Sequence, residues 1–335
     1  MNYSVLWNRA TFRFFLLLLL LITILFIQPQ IARAETSKLP EKCSFGVFIS
    51  SLHDLSLLDK SFGANFWLWS HCNSQDTEPL KIDILNAKSV ETSAEATDEK
   101  ANIYWSQLKV NTVLRHNWNV KNFPFDRHKL VIECEHSFSD VNKLVYVVDK
   151  KNSKYSDQIQ LEGFRITGFE IQEKKYHYPT NFGDPQQSDG STYSRLLITI
   201  KIARNGLTEF FKFSSSTYIA FALSFLSFFM NFGPTDMYGT RISLLVGCLF
   251  AVVLNLQASE SLLGRTNGLT LIDIINISTL LYISIAVAVT SAAHFYFCNG
   301  REKFSRLVNR LICNLSSIIF IVANAIMICS SALSS

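Results

Sequence analysis

Two hydrophobic rhythms divide this chain. From about residue 40 to residue 204 apolar side chains recur at every second position; beyond 205 they run on in long blocks. In 196–204, Ile198, Ile200 and Ile202 alternate with Thr199, Lys201 and Ala203. In 129–135, Leu130, Ile132 and Cys134 alternate with Lys129, Val131, Glu133 and Glu135. A strand points successive side chains to opposite faces, so this period puts one face inside and one in water. The same reading predicts strands over 44–52, 64–70, 81–85, 105–114, 143–148 and 163–173. Strands at short spacing with polar turns predict a β-sandwich. Residues 91–100 are polar and acidic and read as an exposed loop. Residues 181–192 hold Gly183, Asp184, Pro185 and Gly190 and read as a long hairpin tip.

The later blocks predict four membrane-spanning helices, at about 211–232, 240–262, 271–297 and 307–333. Each exceeds the ~20 residues that cross a bilayer. The predicted fold is therefore multi-domain: an all-β sandwich over 35–204, then a four-helix transmembrane bundle over 205–335. An earlier apolar run, 14–27, follows Arg9 and Arg13 and precedes Ala32-Arg33-Ala34. A basic start, an apolar core and a small-residue cleavage pattern predict a secretory signal peptide over 1–34. An uncleaved anchor is the alternative, and either exports the residues that follow. Arg301, Lys303, Arg306 and Arg310 lie between the third and fourth spans, whereas the connection between the second and third has only Arg265. The positive-inside rule puts the basic connection in the cytoplasm and the sandwich outside, in agreement with the signal peptide.

Composition fits this division. Of 335 residues 48% are hydrophobic and 17% charged, which argues against an ordinary soluble enzyme. The net charge of +4 does not point to nucleic acid, because 35–204 hold 21 Lys and Arg against 22 Asp and Glu. The chain contains no Gly-rich phosphate loop, HExxH, CxxC pair or Gly-x-Ser-x-Gly, so neither an enzyme nor a cofactor or metal site is expected. Of seven cysteines, Cys43, Cys72 and Cys134 precede the spans. Three thiols allow at most one internal pair. A hairpin turning near Leu58 sets Cys43 roughly opposite Cys72; three free thiols are the alternative.

Two motifs carry possible chemistry. Phe123-Pro124-Phe125-Asp126 is a turn stiffened by proline, with two aromatic rings that need cover. It suits an apolar plug pressed onto the membrane domain, or an ordinary turn whose rings enter the sandwich core. In the second span Ser243, Gly247, Phe250, Leu254, Gln257 and Ser261 fall on one helical stripe, small and polar at the ends and bulky in the middle. Several copies around an axis would enclose a pore with a hydrophobic constriction at Phe250 and Leu254. Close packing of small residues is the other reading. Arg241, at the start of this helix, is expected to snorkel to the interface. Glu260 is expected at the pore mouth or against a neighbour.

The passage Trp118-Asn-Val120-Lys-Asn-Phe-Pro-Phe-Asp126-Arg-His-Lys-Leu130, Arg204 just before the first span and the order of the spans together resemble the pentameric ligand-gated ion channels, specifically their bacterial members. The cysteines that close a loop around this turn in animal relatives are replaced by His116 and Leu130, as is common in bacterial ones. The first span lacks the family's proline, and its Trp-x-Pro segment is not recognisable. The resemblance implies a homopentamer of identical subunits in the bacterial inner (plasma) membrane, with the N-terminal domain on the periplasmic side. It implies permeant inorganic ions, with a lean to cations because no basic ring apart from Arg241 is evident. It also implies a ligand pocket between subunits under the tip 178–193, for which Tyr146, Tyr178 and Tyr193 are candidates. An aromatic pocket favours a cationic amine. Protons are the other candidate agonist, through His53, His116, His128, His136 and His177. Coupling is expected where Phe123, Pro124, Phe125, Asp126, Arg204, the 264–270 connection and Asp273 meet, with Asp126 or Asp273 pairing Arg204. The alternative function is a non-conducting membrane receptor or sensor; the short connection 299–310, too small for an effector domain, favours a channel.

Overall fold

A computed structural model of the chain describes residues 39–74, 78–100, 103–183, 190–231, 233–264 and 268–333, together with Leu18. The expected signal peptide over 1–34, apart from Leu18, lies outside the described residues, as do Arg265, Asp184 and Pro185.

The alternating half folds into two sheets. The larger takes the order β4 (Ala87–Lys100), β5 (Ile103–Arg115), β2 (Ser61–Cys72), β1 (Glu41–Ser56), β7 (Leu144–Val148), with β8 (Lys154–Tyr155) also pairing β1. The smaller takes the order β3 (Ile82–Ile84), β6 (Arg127–His136), β10 (Ser191–Arg204), β9 (Phe164–Tyr178). Their inner faces share one core. Phe45, Val47 and Ile49 of β1 meet the side of Leu130 and Ile132 of β6 and Ile198, Ile200 and Ile202 of β10, all wholly buried. Each such side chain contributes about 1.5–3 kcal/mol by leaving water. The register pairs Ile198 with Ile132 and Ile200 with Leu130, so one period-two pattern reads straight into the next.

Residues 91–100 are not a loop. They belong to β4, which pairs β5 antiparallel from Ala87↔Leu114 to Lys100↔Ile103. β4 is an edge strand with its acidic side chains in water, and charge is how an edge is kept from pairing further. That charge is also what hid the strand from its hydrophobic pattern. Of the predicted tip, 184–189 lie outside the described residues, and Ser191 and Thr192 belong to β10, which runs antiparallel to β9 with Tyr178 opposite Ser191.

Four helices follow: α1 (Gly206–Ser227), α2 (Thr235–Leu263), α3 (Leu271–Cys298) and α4 (Glu302–Leu333). Three of them, α2, α3 and α4, are long and apolar enough to cross a membrane. The expectation of four such spans is corrected at α1. That helix begins with Glu209 and Lys212, and its buried face is Ser214, Thr217, Ala220, Ser224 and Ser227. These hydroxyls lower its hydropathy but permit close helix approach. Ser214 and Ser224 return their hydrogen bonds to the carbonyls of Phe210 and Ala220, four residues back. α3 is the hub, packing against α1, α2 and α4. Its start is fixed by a capping box in which Thr270 accepts from the Asp273 N–H and the Asp273 carboxylate accepts from the Thr270 N–H. The sandwich and the helices belong to one unit, Pro40–Ser335.

Candidate functional site

The turn before β6 and the end of β10 converge just above α1. Asp126 is 2% exposed. Its carboxylate accepts from Arg204 Nε at 2.8 Å and Nη2 at 3.1 Å, and His128 Nε2 lies 2.5 Å from its second oxygen. The Arg204 backbone N–H donates to the Asp126 carbonyl at 3.1 Å. Burial pushes the Asp126 carboxyl up, but the hydrogen bonds from His128 and Arg204 outweigh it and hold the group below its ordinary value. The guanidinium also lies against two rings, 4.2 Å from the centroid of Phe164 and 4.9 Å from that of Phe123. This is a clasp built from three elements: a turn, a strand and the strand that becomes α1 two residues later.

The aromatic plug presses on the helices. Phe123 is wholly buried and its ring centroid is 5.4 Å from that of Phe213 in α1. Phe125 stacks on Phe210 at 5.8 Å. The peptide bond between Phe123 and Pro124 is cis. A Cβ at Gly206 would stand 2.6 Å from Phe125 Cδ1 and 2.9 Å from the Pro124 carbonyl, so only glycine lets the turn approach the helix start this closely. The same turn reaches α3, where the Leu271 N–H donates to the Lys121 carbonyl at 3.1 Å. Beside it a cavity of about 430 Å³ is lined by Leu57, Lys60, Trp118, Leu263 and Leu269, among others.

Asp273 does not pair with Arg204. Its carboxylate is spent on the capping box, with Ser259 Oγ at 3.5 Å. Arg241 does not snorkel. It is wholly buried, donates Nη2 to Asn309 Oδ1 at 2.9 Å and packs 5.0 Å from the Phe228 ring centroid. Arg241 falls on the packed stripe of α2 with Leu245, Cys248 and Val252, so its direction is set by neighbouring helices.

The opposite stripe of α2 is left open by the described residues of the chain. Ser243, Gly247, Phe250, Leu254, Gln257 and Ser261 are all exposed, as is Glu260. Phe250 is 61% and Leu254 64% exposed. A Cβ at Gly247 would meet nothing within 4 Å, so this glycine makes no close side-chain approach to the described residues.

The three tyrosines separate. Tyr146 is wholly buried, with its hydroxyl donated to the Pro79 carbonyl at 2.8 Å. Its place on the inner face of β7 makes it a core residue that no ligand reaches. Tyr178 and Tyr193 do meet, at 5.8 Å, with Phe182 at 5.4 Å from Tyr178. A cation already sits beside them: the Arg195 guanidinium is 3.8 Å from the ring centroid of Tyr176 and 5.8 Å from that of Tyr178. Arg195 donates to Glu135 and Glu133 at 3.1 and 3.2 Å, and to the Tyr178 hydroxyl at 2.7 Å. Tyr178 donates in turn to Glu135 at 2.7 Å. Loss of solvent first, then Glu135, pushes the Tyr178 phenol up to about 12, so it stays a donor.

Sequence reading missed His128 as a partner of Asp126, although extended backbone running from the turn into β6 brings residues two apart to one side. It also missed a polar knot inside the helices. Asn255 Nδ2 of α2 donates to the Phe213 carbonyl at 2.8 Å and to Thr217 Oγ1 at 2.9 Å, and Thr217 donates to Asn276 Oδ1 of α3 at 2.6 Å. The lone Asn255 in an apolar run was the available signal. At the far end of the sandwich core Cys43 and Cys72 form a disulfide that joins the start of β1 to the end of β2.

No protein-family model matches the chain, and no curated protein matches it.

Proposed function

We propose that the chain is one subunit of a ligand- or proton-gated ion channel of the pentameric ligand-gated type, assembled as a homopentamer with α2 lining the pore. The observation that carries this reading is the double stripe of α2. One side is packed against its own chain, while Ser243, Gly247, Phe250, Leu254, Gln257 and Ser261 are left open at heptad spacing. Five copies turned inward would place small polar residues at one mouth, a ring of Phe250 and Leu254 at the waist and Gln257 and Ser261 at the other mouth. A ring of bulky apolar side chains closes a pore by excluding water. In this reading α1 crosses the membrane too, packed against α2 and α3 despite its lower hydropathy, so that the sandwich faces the periplasm of a bacterial inner membrane and the basic α3–α4 turn the cytoplasm. The clasp and plug transmit motion from sandwich to α1 and α3, and permeant ions are cations.

The test is ionic current across bilayers holding the purified full-length protein. Phe250→Ala is expected to conduct at rest, and wild type only when stimulated. Silence from both, in protein whose mass is that of a pentamer, would overturn the channel and leave a non-conducting receptor.

A further inference from the structure

We propose that His116, set against His128 and the Asp126–Arg204 clasp, is a proton-binding site, and that its protonation is the stimulus that loosens the clasp. The inference rests on the gated-channel reading and supplies its agonist.

His116 follows β5 directly. Its backbone N–H donates to the Lys60 carbonyl at 2.9 Å. Its ring stands edge-on to Trp118 at 4.5 Å, to His128 at 5.7 Å and to Phe62 at 6.0 Å. The residue is half-buried, but its Nε2 atom is buried and has no hydrogen-bond partner. An imidazole nitrogen shut away among rings with nothing to bond is an unused proton acceptor, and an unmet buried polar atom carries a cost that a functional constraint must sustain.

The charges around it are few. The turn after His116 contributes Asp126, β6 contributes His128 and the end of β10 contributes Arg204. β2 contributes the ring of Phe62 to His116 and β9 the ring of Phe164 to His128, and the β1–β2 turn gives the Lys60 carbonyl while the Lys60 side chain stays exposed. The single carboxylate is already matched by Arg204. A proton on His116 therefore adds a positive charge beside His128 and within the same cluster as Arg204, with no second carboxylate among the described residues of that cluster. His53 and His177 are less suited, being bonded to Asp54 and Thr192 in exposed positions, and His136 accepts the N–H groups of Phe138 and Ser139.

Burial first, then His128, lowers the His116 imidazole from 6.5 to about 4. The sign follows directly. A group whose folded value lies below its unfolded one binds fewer protons in the folded, closed arrangement. That arrangement is unaffected above about 6.5 and loses stability as pH falls from there toward about 4. Relief comes when His116 reaches water. The segment that must move for this, 116–128, carries the aromatic plug, Asp126 and the Lys121 carbonyl that holds Leu271.

The experiment uses full-length protein in lipid nanodiscs and bilayers, as wild type, His116→Phe and His116→Gln. Trp118 fluorescence, taken as the difference from matched Trp118→Phe protein, reports the imidazolium, which quenches an indole in contact with it. Current is recorded across a pH step from about 7 to about 4. Expected is a Trp118 quench with a midpoint between about 6.5 and about 4 in wild type, smaller in both variants, where His128 is the one remaining imidazole against Trp118, and acid-evoked current lost in both while Phe250→Ala added to either still conducts. An unchanged quench, or unchanged acid current, in both variants overturns the proposal. A His116-dependent quench with no current from any protein, Phe250→Ala included, sustains the proton site and overturns the channel reading.

Discussion

Asp126 ties the turn before β6 to the end of β10 by a single carboxylate. It is buried, it takes two bonds from Arg204 and one from His128, and no solvent stands ready to replace them. Removing one member of such a pair leaves an uncompensated charge and costs about 3–5 kcal/mol, whereas removing both costs less than the sum. Arg204→Ala and Asp126→Ala are each expected to destabilise the sandwich by that amount in denaturant titrations, with the double variant clearly less than additive. Arg204→Ala is also expected to uncouple: protein that assembles yet responds to its stimulus unchanged would remove the clasp from the transmission path. Because the folded Asp126 carboxyl is held below its ordinary 3.8, its contribution is complete above that value and is lost as pH falls through the lower folded one. Acid loosening through His116 therefore precedes acid loss of Asp126. The sequence offered two acids for one arginine. Choosing between them needed the Thr270-x-x-Asp273 capping signal, which engages Asp273 locally and leaves Asp126 to Arg204. Tyr146 was misread for a related reason: its place in the alternation of β7, with Leu144, already put it on the inner face.

At the scale of elements, strands with one wet face and helices with long apolar runs were legible from period alone. β4 was not, because an edge strand needs charge more than it needs an apolar face. α1 was legible as a helix but not as a weakly apolar one, since its packed face is made of serines that bond their own carbonyls. The pairing of β1 with β2 brings Cys43 to Cys72 across a separation of 29 residues. A cross-link closing a loop of that size limits the unfolded chain by about 3–4 kcal/mol. Cys43→Ser and Cys72→Ser are each expected to lower the stability of the sandwich by that order. Reducing agent should do the same to wild type and nothing further to either variant. An effect of reductant on Cys72→Ser would assign the lost stability to other thiols.

For the whole molecule, the decisive question is what covers the open stripe of α2. A 29-residue helix spans about 43 Å, enough to cross a bilayer at some tilt, so its open face meets either lipid or water over that length. The outer faces of α4 are apolar nearly throughout, with Ile318, Ile319, Ile321 and Val322 all more than half exposed, as lipid requires. The α2 stripe differs: only Phe250 and Leu254 are bulky, and Ser243, Gly247, Gln257 and Ser261 would gain nothing from hydrocarbon. Water on this face follows if copies of the chain surround it. The test is cysteine accessibility in a background where the exposed thiols Cys298 and Cys329 are replaced by serine. Ser243→Cys, Gly247→Cys and Gln257→Cys are expected to react with a charged, membrane-impermeant thiosulfonate and to lose current as they do. Leu245→Cys and Val252→Cys, on the packed stripe, are expected to stay unmodified. A Gly247→Cys that resists the charged reagent but reacts with a lipid-soluble maleimide would place hydrocarbon, not water, along the stripe, and would make α2 an outer helix of a different assembly.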